Sequence, residues 1–163
     1  MKQDSHKTLK HYIHLRLGRG NIIEVLRSMF VKAFQAKSAK EFWNYWNPVF
    51  GYYMLFYFYK PLTNRVPRAI RVIATFTVSG FFLHDILLWW PFCWLIAYKT
   101  HFPFGTVWFI FLAIIMLSLE KIGFNTKKYS PKVRVLTNLG YLSVALGLTI
   151  LVAGGIKIII SYS

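Results

Sequence analysis

The sequence predicts an all-α integral membrane bundle with about three transmembrane helices, an interfacial amphipathic helix and a re-entrant aromatic segment. Three observations predict it. Of 163 residues, 56% are hydrophobic and 19% aromatic, too apolar for an ordinary soluble domain of this size. Three apolar runs approach the ~20 residues needed to cross a bilayer core. The formal charge of +15 is concentrated in the stretches between and before those runs. Charges placed there face phosphate headgroups, so the expected partner is an anionic lipid surface and not nucleic acid.

Residues 1–20 read as a basic, solvated N-terminal arm. His11 and His14 stand three apart with no carboxylate or cysteine beside them, so no metal site is expected. The first forty residues hold nine Lys and Arg and no apolar core of signal-peptide length. A cleaved signal is therefore not expected, and insertion falls to the internal segments. The single cysteine, Cys93, allows no internal disulfide.

Residues 21–163 form one membrane domain. Asn21 is a candidate N-cap. Ile22, Ile23, Leu26, Met29, Phe30 and Phe34 then recur at helical spacing with Arg27 and Lys32 among them, the pattern of a helix lying in the interface over 21–41. Ser38 and Glu41 fit a capping box for a further helix. The aromatic block 42–62 has basic flanks on both sides, so it is expected to enter and return, or to lie flat. Pro48 and Gly51 interrupt it and Pro61 ends it.

Transmembrane helices are expected at 72–98, 104–120 and 136–160, with Pro91 kinking or ending the first. In the third, Gly140, Gly147 and Gly154 recur every seven residues and so share a face that another helix can approach. The 60–71 loop carries four basic residues and the 121–134 loop five, against one in 99–103. Basic loops favour the cytoplasm, which puts both rich loops and the N-terminus on that side.

His84 and Asp85 sit within the first span. His84 lies roughly 20 Å from Arg71 along a helix rising ~1.5 Å per residue, beyond the midplane. Ionisable groups at that depth are functional by default. On a helix Asp85 points about 100° away from His84, so the two make no simple dyad.

Three pieces then occur in order: Phe42, Trp43, Trp46 and Asn47; Tyr59, Lys60, Pro61 and Leu62; and Val78, Ser79, Gly80 and His84. In this order they resemble the active-site region of the membrane-bound O-acyltransferase (MBOAT) superfamily, over about a third of the chain. The resemblance implies acyl transfer from a thioester such as acyl-CoA to a hydroxyl of a lipid, glycan or small acceptor, with no resident cofactor. It implies His84 as general base, with Asn47 holding the thioester or acceptor and donating to charge on the carbonyl oxygen. Trp43, Trp46, Ser79 and Asp85 make up the implied substrate-contacting set. It also implies a bacterial inner membrane as the location.

The chain departs from the family in three ways. Ser79 and His84 are five apart where four is more usual, which turns the ring by about 100° in a regular helix. Asp85 stands where Gly or Glu is more usual. The spans correspond to the C-terminal, histidine-bearing half of a full member. A small acyl group, a homo-oligomer or a partner membrane subunit would make up for the missing half. The alternative reading is a non-catalytic subunit or degenerate half-enzyme that scaffolds such a partner.

Overall fold

The computed structural model describes residues 8–95 and 102–161, the stretch 156–161 by its backbone alone. Among these residues every regular element is helical. Three helices are long and apolar enough to cross a membrane: Arg68–Leu95, Phe104–Lys121 and Pro131–Gly155. The chain is an all-α integral membrane bundle.

Helix α1 is Leu9–Leu17, α2 is Ile22–Phe34 and α3 is Ala39–Tyr45. Helix α4, Pro48–Tyr53, runs on into π-helical turns at Met54–Tyr59. The first span is a rod of three parts: α5 (Arg68–Ser79), a π-helix (Gly80–Trp89) and α6 (Trp90–Leu95). Pro91 does not end it, because the helix passes through that residue to Leu95. Residues 96–98 of the expected span, and most of the 99–103 loop, lie outside the described residues. Helices α7 (Phe104–Lys121) and α8 (Pro131–Ser161) complete the bundle.

Helix α7 is the centre, packing on α5, on the π-helix and on α8. Its buried side is Gly105, Phe109, Leu112, Ala113 and Met116, spaced by three or four as one helix face requires. Leu112 and Ala113 are wholly buried, and Ala145 meets them from α8.

The helix expected over 21–41 is present but shorter, ending at Phe34. Asn21 and Glu24 close a full capping box: the Glu24 amide donates to Asn21 Oδ1 at 2.9 Å and the Asn21 amide to Glu24 Oε2 at 3.1 Å. Ile22, Ile23, Leu26 and Phe30 are exposed on one face, which suits a helix lying on hydrocarbon. Ser38 caps α3 through the Glu41 amide at 3.2 Å, but Glu41 reaches back to the Lys37 amide instead of completing the box.

The N-terminal arm is not wholly solvated. Residues 9–17 form α1, docked on the aromatic segment, with Tyr12 and Leu17 buried. Tyr12 meets Tyr52 edge-on at 5.3 Å. The last carbonyls of α1 are taken up by α2: Ser28 Oγ donates to Leu17 O at 2.7 Å and Lys32 Nζ to Arg16 O at 2.9 Å. Apolar and aromatic residues at helical spacing inside the basic stretch outweigh its charge. Residues 1–7 lie outside the described residues.

The aromatic block is a helix, a break and a second helix. Pro48 marks the break, whereas Gly51 lies inside α4. The glycines of α8 leave their shared face open. Among the described residues nothing lies within 4 Å of where a Cβ would stand on Gly140, Gly147 or Gly154, so no described helix packs on that face.

The two basic loops gather at one end of the bundle. Glu120 pairs with Arg68 at 2.6 Å and with Lys40 at 3.3 Å. The Thr126 amide donates to Lys37 O at 2.8 Å. Asn138 Nδ2 donates to Phe34 O at 2.8 Å and to Ala36 O at 2.9 Å.

Candidate active site

Helix α3 gives way to α4 at Trp46, Asn47 and Pro48. Proline disfavours α geometry in the residue before it, so α3 stops. Trp46 is extended, and Asn47 takes the left-handed region at φ 40°. Asparagine tolerates that region better than most residues, because its short amide bonds locally. Here Asn47 Oδ1 accepts the Phe50 amide at 3.2 Å and caps α4. A backbone N–H is only a donor, so the oxygen is the atom engaged and the NH₂ group remains free to donate elsewhere. Strained non-glycine backbone of this kind is concentrated at functional sites.

His84 is positioned by the π-helix. A π-helix bonds i to i+5 where an α-helix bonds i to i+4. The five-residue step from Ser79 to His84 therefore covers about the same turn as a four-residue step in an α-helix. The expected rotation of the ring away from the site is cancelled by the change of helix type. His84 Nδ1 lies 3.4 Å from Ser79 O. A carbonyl oxygen only accepts, so this contact selects the tautomer with hydrogen on Nδ1 and leaves the Nε2 lone pair free. The ring packs against Phe109 at 4.2 Å and edge-on to Trp108 at 6.4 Å.

Close approach of two backbones makes this possible. A Cβ on Gly80 would stand 2.7 Å from the Gly105 carbonyl oxygen, and a Cβ on Gly105 would fall onto the His84 Cβ. Only glycine at both positions lets the start of α7 press against the π-helix.

Asn47 and His84 line one cavity of about 250 Å³, between the aromatic segment and the first span. Its wall also includes Trp43, Trp46 and Ser79. Trp43 packs edge-on to Phe76 at 5.0 Å. Trp46 stacks on Phe42 at 5.6 Å and touches Phe30 of the interfacial helix at 5.4 Å. Ser79 is buried, and its carbonyl faces the imidazole.

Asp85 does not join this set. It is wholly buried and turned toward α7, where Oδ1 accepts the Gly105 amide at 2.6 Å. Oδ2 accepts the Thr106 amide at 2.8 Å and the Thr106 hydroxyl at 2.6 Å. Pro103 gives α7 no side-chain cap of its own, so Asp85 caps it from another helix. It is a structural neighbour of the site and not part of the cavity wall.

Several wall residues were not singled out from sequence. Tyr12 and Arg16 come from α1, Thr75 and Leu83 from the first span, and Phe109 from α7. Tyr12 and Arg16 are four apart, one helical turn, but that signal is masked in a stretch whose composition reads as an arm. Burial pushes the Tyr12 phenol above its ordinary pKa, and nearby Arg16 partly opposes the shift. Tyr12 is therefore a neutral hydroxyl near pH 7. Among the described residues no group of three or more His, Cys, Asp or Glu is arranged to hold a metal ion.

Compared with known protein families, with characterised proteins and with solved structures, the chain has no match. The chemistry is therefore argued from the cavity. Its wall presents a tethered imidazole with one free nitrogen, an amide donor fixed through its oxygen, and aromatic side chains.

Proposed function

We propose that this chain is a membrane-embedded O-acyltransferase whose active site is the cavity shared by His84 and Asn47. The observation that carries the reading is that shared cavity. An amide and an imidazole 37 residues apart in sequence meet at one void in an apolar bundle.

The reaction follows from the two side chains. An acceptor hydroxyl enters with its proton toward His84 Nε2. As the oxygen bonds to the carbonyl carbon of an acyl thioester, the proton passes to Nε2. The carbonyl oxygen takes up negative charge and accepts from the Asn47 NH₂ group. The carbon–sulfur bond then breaks, the thiolate takes the proton from the imidazolium, and ester and thiol leave. Ser79 holds the ring in the productive tautomer through its carbonyl.

The cavity measures about 250 Å³. That suits a short acyl chain better than a long one. The gathering of both basic loops at one end supports an orientation with that end and the N-terminus in the cytoplasm. A bacterial inner membrane is the proposed location, with an acyl-CoA-type thioester as donor.

The test is acyl transfer in proteoliposomes holding only the purified protein. Loss of transfer in His84→Ala and His84→Gln, with the fold intact, supports the role. Unchanged transfer overturns it. The bare glycine face of α8 favours the second reading, a scaffold for a partner membrane subunit. A scaffold co-purifies with that partner and is unaffected by His84→Ala.

A further inference from the structure

The cavity wall carries a charge. Arg16 lines it, and among the described residues no Asp or Glu does. The acidic side chains in the described residues are committed elsewhere. Glu24 caps α2, Glu41 accepts the Lys37 amide, Asp85 caps α7 and Glu120 pairs with Arg68 and Lys40. Arg16 Nε is shut off from solvent and has no hydrogen-bond partner. The guanidinium lies 3.5 Å over the centre of the buried Tyr12 ring, which fixes it as a flat platform. The backbone carbonyl of Arg16 is itself held by Lys32.

A half-buried guanidinium beside an apolar void, with no described carboxylate near it, is costly unless a ligand supplies the anion. Guanidinium on an aromatic platform matches the oxygens of a phosphate with its fork of donors. We infer that Arg16 is an anion-binding residue and that one of the two reactants carries a phosphate group into this cavity. The inference rests on the acyl-transfer reading for what the phosphate belongs to, while binding itself is measured without turnover. Two sources share this chemistry: the phosphates of a nucleotide-type thioester donor, or a phosphate beside the acceptor hydroxyl at the lipid surface. Tyr12, the neutral hydroxyl under the guanidinium, adds no competing charge.

The experiment measures equilibrium binding to the full-length protein in nanodiscs, using charged probes and their uncharged counterparts. Acetyl-CoA is compared with S-acetylpantetheine, and glycerol 3-phosphate with glycerol. Each is measured on wild type, Arg16→Lys and Arg16→Met. The expected result is that one charged probe binds wild type more tightly than its counterpart. Its Kd should rise at least about tenfold in Arg16→Met and less in Arg16→Lys. Dependence confined to acetyl-CoA assigns the phosphate to the donor, and dependence confined to glycerol 3-phosphate assigns it to the acceptor. The inference is overturned if neither charged probe outbinds its counterpart, or if affinities change less than about threefold in Arg16→Met. Thermal unfolding of the unliganded variants separates loss of binding from loss of fold, since Arg16→Lys keeps both charge and stem. Arg16-dependent binding combined with full transfer by His84→Ala would retain the subsite and remove the acyltransferase reading.

Discussion

Asp85 accepts the Gly105 amide at 2.6 Å, so the carboxylate next to His84 in sequence closes the start of α7 and faces away from the cavity. This relationship fixes the site indirectly. The same turn of π-helix that presents His84 to the void presents Asp85 to a helix end with no cap of its own. One carboxylate, through three hydrogen bonds, sets how the first span and α7 meet.

Removing that carboxylate should act on stability before chemistry. Asp85→Ala leaves buried amides unpaired and is expected to cost ~2–4 kcal/mol, from a lost cap plus the penalty for buried unpaired donors. Asp85→Asn keeps one acceptor oxygen and should fall between the two. Denaturant unfolding in detergent measures both. An Asp85→Ala protein as stable as wild type would show that α7 finds its cap elsewhere.

The glycine pair makes a sharper prediction about activity. In Gly105→Ala the new methyl meets His84 Cβ and lies 2.9 Å from Asp85 Oδ1. The backbones must part, and the imidazole moves with them. A displacement near 1 Å commonly costs about 100-fold in rate, and that is the expected loss of acyl transfer. Gly80→Ala should behave alike, since its methyl meets backbone. Gly140→Ala, on the bare face of α8, should keep full activity in the same assay.

Asn47 has two jobs that a pair of variants separates. Asn47→Asp keeps an oxygen for the Phe50 amide but has no NH₂ to offer. Asn47→Gly accepts the left-handed backbone at φ 40° but loses both functions. If the amide donates to the developing oxyanion, Asn47→Asp should lower kcat by about 10²–10³-fold with its melting temperature nearly unchanged. Asn47→Gly should lose that much activity and also some stability. An Asn47→Asp enzyme retaining more than a tenth of wild-type kcat would remove the donor role.

Some of this was legible in the sequence and some was not, for physical reasons. The spans, the outward face of Ile22, Ile23, Leu26 and Phe30, and the break at Pro48 follow from periodicity and proline sterics, which are local. Asn47 and His84 stand out in the sequence because polar groups in apolar surroundings need partners. That they line the same void depends on a helix type no local rule predicts. The ten-residue π-helix begins at Gly80, which packs against Gly105, a contact between residues far apart in sequence. Asp85 entered the expected site through the resemblance alone, whereas a helix sends neighbours to different faces. Arg16 and Tyr12 were hidden by composition, since the charge around them masked one apolar face. The glycine spacing of α8 showed a shared face but could not supply something to fill it.

Asn138 gives the last prediction, one that reaches the cavity from a distance. It is buried on α8, and its Nδ2 donates to Phe34 O at 2.8 Å and to Ala36 O at 2.9 Å. Helix ends leave carbonyls without intrahelical partners, and Asn138 takes up the last one of α2 and one just past its end. Asn138→Leu keeps the volume and removes both bonds, so it should cost about 1–3 kcal/mol, the lower part of the range applying where lipid is near. The effect should spread along a defined path. Phe34 meets Trp46 at 6.0 Å and Phe42 at 5.5 Å, and Trp46 is cavity wall. Amide exchange should therefore quicken across α2 and α3 while the α5 and α7 amides stay protected. Because His84 is held by α7 and the π-helix, kcat should fall less than substrate affinity in Asn138→Leu. A variant that lost kcat and kept its KM would mean that α2 supports the imidazole and not the wall.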